Sequence, residues 1–171
     1  MLFYSLKNPS QPFGGELQKK KNGRGRRPLD DCKSMHITLK SSQAKGEWSF
    51  LTRKNRHKIQ KVIERFSNKY NVMILKSANV GNHIHLHIQL IDRKTYAPFI
   101  RAITAAITMA VTGASRCKKL TKKFFDYRPF SKIVTCVKQF VNLNKYLEIN
   151  EWEAVGCDRL TARMRVEEDF W

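Results

Sequence analysis

The chain has 171 residues with 33 Lys+Arg against 14 Asp+Glu, a formal net charge of +19 and a pI near 10.1. That excess favours a polyanionic partner, through phosphate neutralisation and counterion release, over a neutral or acidic one. A hydrophobic content of 42% with 11% aromatics excludes a purely disordered basic tail and is enough for one domain with a real core.

Four cysteines, Cys32, Cys117, Cys136 and Cys157, stand far apart with no Cys-x-x-Cys pair, which argues against a zinc knuckle or a disulfide framework. The apolar run Ala102 to Ala114 is interrupted by threonines and too short to span a bilayer. The chain opens on no continuous apolar segment, so a cytoplasmic, nucleoid-associated bacterial protein with no membrane partner is expected.

Residues 1–31 read as a flexible basic arm. They hold Pro9, Pro12 and Pro28, several glycines, and the clusters Lys19, Lys20, Lys21 and Arg24, Arg26, Arg27. From Ser34 the pattern turns regular. Met35, Ile37 and Leu39 alternate with His36, Thr38 and Lys40, as in a half-buried strand. Ile59, Val62, Ile63, Phe66 and Tyr70 then recur at helical spacing, with Thr52 as the cap. Val72 to Leu75 makes a short second strand, and Asn79 with Gly81-Asn82 turns the chain into a third.

That third strand, His83-Ile84-His85-Leu86-His87-Ile88, carries the strongest signal. Residues two apart share a strand face, so the three histidines line one side while the aliphatics enter the core. Neutral imidazoles side by side on a strand form half of a divalent-metal site. A second helix follows from Tyr96 to Thr112, closed by Gly113. The basic connector Arg116, Lys118, Lys119, Lys122 and Lys123 leads to a fourth strand between Phe124 and Val134, placed at a sheet edge by Pro129. A last helix covers Cys136 to Ala154.

The order β-α-β-β-α-β plus a helix is the ferredoxin-like split-βαβ arrangement, an α+β fold with an antiparallel sheet. Its central strands would be the first and third, bringing His36 and Thr38 beside His83, His85 and His87. His36 and His87 are therefore additional active-site candidates. On the last helix, Tyr146 and Asn150 lie four apart on one face. The expected organisation is an arm (1–31), a folded domain (32–156) and a C-terminal tail (157–171).

Asn82-His83-Ile84-His85-Leu86, the element order, and Tyr146-Leu147-Glu148-Ile149-Asn150 together resemble the single-tyrosine HUH transposases of the insertion-sequence-200/605 type. They are most similar to the transposases associated with repetitive extragenic palindromes (REP), which carry Tyr-Ile-Glu-x-Asn. The resemblance spans roughly residues 26–156. It implies His83 and His85 as the metal pair, Asn150 as the residue assisting the metal, and Tyr146 as the nucleophile. It also implies Mg²⁺ or Mn²⁺ as cofactor and a 5′-phosphotyrosine intermediate on single-stranded or hairpin DNA, with a monomer or homodimer as the working unit. Two features depart from the family pattern: His87 replaces an apolar residue, and Arg128-Pro129-Phe130-Ser131 replaces an aromatic-Tyr-Asp sequence.

The chemistry suits these residues. A free tyrosine is ionised in only about one molecule in a thousand at neutral pH, so attack on a phosphodiester needs a cation to polarise the target. Imidazole-rich ligation with few carboxylates suits Mn²⁺ somewhat better than Mg²⁺. The basic connector and arm would follow the phosphate backbone, with Tyr127, Phe130 and Trp48 as candidate stacking platforms. The competing reading is a non-catalytic nucleic-acid-binding protein on the same scaffold, an inactive or domesticated transposase; only the intact His-x-His and Tyr-x-x-x-Asn pair separates the two.

Overall fold

A computed structural model describes residues 28–168. The basic clusters at Lys19, Lys20, Lys21, Arg24, Arg26 and Arg27 lie outside the described residues. Four strands, β1 (Ser34–Lys40), β2 (Val72–Asn79), β3 (His83–Leu90) and β4 (Phe130–Ile133), form one antiparallel sheet in the order β2-β3-β1-β4. Two crossover helices, α1 (Arg53–Tyr70) and α2 (Tyr96–Thr112), complete the ferredoxin-like βαββαβ unit expected from the sequence.

The core forms on the helix side of the sheet. Met35, Ile37 and Leu39 of β1 and Ile84, Leu86 and Ile88 of β3 are buried there against Ile59 and Ile63 of α1 and Phe99, Ile103 and Ile107 of α2. The Thr52 hydroxyl caps α1 by accepting from Asn55 N at 3.3 Å. Gly113, at φ +69°, closes α2 in the left-handed conformation. Gly81 turns β2 into β3 at φ +93°, a conformation that strains any larger residue, and a Cβ there would stand 3.2 Å from the side chain of Leu51, which would have to give by a few tenths of an ångström.

The opposite face of the sheet is covered by α3 (Val137–Ala154), which buries Leu147 completely. A final helix, α4 (Arg159–Glu168), packs Ala162 and Val166 behind it. Asp158 caps α4, accepting from Leu160 N at 3.0 Å and Thr161 N at 3.1 Å.

Three boundaries differ from the sequence-based expectation. Strand β2 continues past Leu75 to Asn79, through an irregularity between Ile74 and Lys76. Its outer half mixes polar residues on both faces, so it shows no period. The fourth strand is confined to Phe130–Ile133 instead of starting at Phe124. Phe124 is a buried loop residue, edge-on to Phe50 and Trp48, and Asp126 is held by the backbone and hydroxyl of Ser42. Residues 157–171, expected as a tail, contain α4.

Candidate active site

Strand register builds the site before any side chain is placed. Residues directly opposite each other share a face, so the α3 side of the sheet carries cross-strand rows. One row is Lys76, His87, His36 and Lys132; the next is Ala78, His85, Thr38 and Phe130; His83 and Lys40 begin a third. All the histidines read from the two central strands therefore do converge on one face.

Within that face they play different parts. His85 is 4% exposed, and its Nδ1 lies 3.0 Å from His36 Nε2 and 3.1 Å from Thr38 Oγ1. Its Nε2 is buried without a hydrogen-bond partner. An orphaned ring nitrogen is costly unless something else satisfies it. Half-buried His83 stands edge-on to His85, ring centroids 4.7 Å apart, with its Nδ1 2.6 Å from Asn82 Oδ1. The Asn82 oxygen is an acceptor, so the His83 proton sits on Nδ1 and Nε2 keeps its lone pair. In both rings Nδ1 is oriented by a neighbour and Nε2 is left over, the pattern of metal-ligating histidines with outer partners. The residues present thus fit a divalent cation. His36 supplies orientation, because its Nε2 faces His85 Nδ1.

His87 is committed elsewhere. It is fully buried, with Nδ1 2.8 Å from Asn144 Oδ1 and Nε2 2.8 Å from Ser34 Oγ, under the ring of Phe140. Nδ1 fastens α3 to the sheet, and Nε2 is held by Ser34 at the start of β1, so both nitrogens are engaged. A second clamp, Lys76 Nζ to Glu148 Oε2 at 2.7 Å, ties α3 to β2. These contacts set the position of Tyr146, a residue 40% exposed whose ring lies 5.5 Å from the His85 ring and 6.3 Å from that of His36. The nucleophile candidate and the histidine pair therefore meet within a single chain. One turn on, Asn150 is buried and donates its Nδ2 to the Tyr146 carbonyl at 2.7 Å, a bond that does not use Oδ1.

Burial keeps these imidazoles neutral. It is the main cause that pushes His85 down to about 3, with His36 and His83 adding to it, and His36 down to about 4, with His87 and Lys132 adding. His83 is lowered by burial and then by Lys40. Neutral rings can bind a cation at pH 7 without first losing a proton.

The unfolded histidine binds its proton near pH 6.5 and the folded one resists, so stability is full above 6.5 and falls as pH drops toward 4 and 3. The contacting pair His36 and His85 together accounts for on the order of a few kcal/mol by about pH 4. Urea midpoints in EDTA should therefore drop steeply between pH 7 and pH 4 in the natural chain, and less in a His36→Gln variant.

Phe140, Asn144, Lys76 and Glu148 were not singled out by sequence reasoning. The signal was present in the spacing of Phe140, Asn144 and Glu148, one stripe of α3 with a member every fourth residue. Arg116, Lys118, Lys119, Lys122 and Lys123 all face solvent, on a connector pinned to the core by Leu120. The connector returns to the sheet where Asp126 N donates to Lys40 O at 3.0 Å, the end of β1 that pairs with His83. Of the stacking candidates, Trp48 packs on the core, Tyr127 is 72% exposed, and Phe130 lies edge-on to His36.

Among solved structures, the chain superimposes on a REP-associated tyrosine transposase bound to a REP hairpin. The TM-score is 0.60 at 16% identity, over 75% of this chain and 72% of that one. The chain has that transposase fold. A putative transposase from Deinococcus radiodurans R1 aligns less closely, with TM-score 0.48 and 11% identity over 75% of this chain and 96% of that one, too loose a superposition to build on. No family model matches the sequence, and no curated protein is significantly similar to it. Among the described residues no helix is long and apolar enough to cross a membrane.

Proposed function

We propose that this protein nicks single-stranded DNA of hairpin or repetitive palindromic type and transfers the cut strand through a 5′-phosphotyrosine intermediate on Tyr146. The observation that carries the reading is His85: buried, neutral, with an unpartnered Nε2 and its ring against Tyr146. The fold shared with a transposase bound to a REP hairpin supports the same substrate class.

His83 and His85 through Nε2, with Asn150 through Oδ1, would hold a Mg²⁺ or Mn²⁺ ion, whose charge polarises a phosphodiester and offsets charge in the transition state. The Tyr146 hydroxyl, partly exposed beside them, attacks phosphorus and loses its proton; the 3′-oxygen leaves and takes one up. One phosphodiester is exchanged for another, so a second 3′-hydroxyl can reverse the step without a nucleotide cofactor. The helix clamps, His87 to Asn144 and Lys76 to Glu148, hold the phenol in place for attack.

The test is incubation of the full chain with end-labelled hairpin and single-stranded oligonucleotides, with Mn²⁺ or with EDTA, followed by denaturing electrophoresis. Metal-dependent label on the protein band supports the proposal; tight binding with no adduct under any metal favours a non-catalytic DNA-binding protein.

Binding itself should depend steeply on salt. If about six phosphates are neutralised, affinity falls roughly a thousandfold between about 50 and 200 mM salt. Deleting residues 1–27 should flatten the slope if the arm takes a share of those phosphates; an unchanged slope assigns them to Arg116, Lys118, Lys119, Lys122 and Lys123.

A further inference from the structure

Beside Tyr146, on the side away from His83, a pocket of about 440 Å³ opens between β4 and the start of α3. Its volume falls in the usual range for small-molecule sites, roughly 300–1,000 Å³. His36, Phe130 and Lys132 form the sheet wall; Gln139, Asn142 and Tyr146 form the helix wall. Nothing in the proposed cutting chemistry uses Phe130, Gln139 or Asn142.

Resting on the reading of Tyr146 as nucleophile, we propose that this pocket holds one unpaired base of the DNA strand, next to the scissile phosphate, and reads its identity. The wall chemistry matches that occupant. Phe130 offers an aromatic surface on which an unpaired base can stack, whatever its identity. Gln139 spends its Oε1 on the Thr135 backbone and hydroxyl, both at 3.1 Å, which turns the rest of its amide to donor duty. Asn142, exposed at the rim, carries a donor and an acceptor side by side, as base edges require. Lys132 brings positive charge to a wall that a nucleotide's phosphate must pass. Because Tyr146 and His36 are shared between pocket and histidine cluster, a strand lying over His83 and Tyr146 delivers its next base here.

The test is a selection, in EDTA, of strands that bind the full chain from a pool of random single-stranded oligonucleotides, repeated with Asn142→Trp and with Phe130→Leu. Leaving out metal makes the readout independent of cleavage. The expected result is a base preference of about tenfold at one position that both variants lose, with the other positions unchanged. Preferences identical in all three proteins would overturn the proposal, and so would a uniform loss at every position. If Asn142→Trp melts early by circular dichroism, Phe130→Leu decides by the same criterion. Adduct on Tyr146 without a position-specific loss removes the base pocket and leaves the nicking activity. A position-specific loss without adduct does the reverse.

Discussion

Tyr146→Phe is expected to abolish covalent protein–DNA adduct formation, by about 10³-fold or more, while leaving DNA affinity within about twofold. The variant removes one oxygen from a residue that is already 40% exposed and keeps the ring's packing against His85 and His36. Thermal stability should therefore be unchanged, and binding, which rests on many phosphate contacts, should persist. Residual adduct of comparable yield would move the nucleophile elsewhere, with the exposed Tyr127 the next phenol to examine.

The second large effect separates three histidines that share one strand face. His83→Ala and His85→Ala should each remove cleavage and weaken Mn²⁺ binding by more than the 10–100-fold that even outer partners of metal ligands cost. Neither should unfold the protein: His83 is only partly buried, and His85→Ala gives up the contacts to His36 and Thr38 but also removes a buried, unpaired nitrogen. His87→Ala should behave differently. It strands Asn144 and Ser34 and opens a hole beneath Phe140, a loss of roughly 2–4 kcal/mol in stability. Mn²⁺ affinity, read by calorimetry on folded protein, should stay within about threefold. Equal damage to Mn²⁺ binding in His87→Ala would shift the metal pair to His85 and His87, and equal adduct yield in EDTA would remove the metal from the mechanism.

The fold was largely legible because its central strands alternate aliphatic residues on the core face with polar ones on the face under α3. Met35, Ile37 and Leu39 against His36 and Thr38, and Ile84, Leu86 and Ile88 against the histidines, state both the period and the side. Period, however, says nothing of depth. His83, His85 and His87 look alike in sequence, yet one is at the rim, one has an orphaned nitrogen and one is satisfied twice. The difference comes from where α3 docks, a tertiary contact that Asn144, Phe140 and Glu148 determine from far along the chain. Edge elements were read less well for a related reason. The outer half of β2 faces α3 on one side and the groove beside α1 on the other, so polar residues appear on both. Phe124 and Phe125 carry strand-like composition, but their aromatic bulk closes the end of the core around Phe50 from a loop. The polar, arginine-rich sequence of α4 hides its two buried positions, Ala162 and Val166, four residues apart.

The most direct measurement is mass spectrometry of the adduct. Full-length protein is reacted with single-stranded hairpin DNA and Mn²⁺, the DNA is digested to a stub, and the tryptic peptides are sequenced. The expected product is a single nucleotide attached through a 5′-phosphate to Tyr146. A stub on any other residue, or DNA cleaved to a 5′-phosphate with no peptide carrying it, would contradict it.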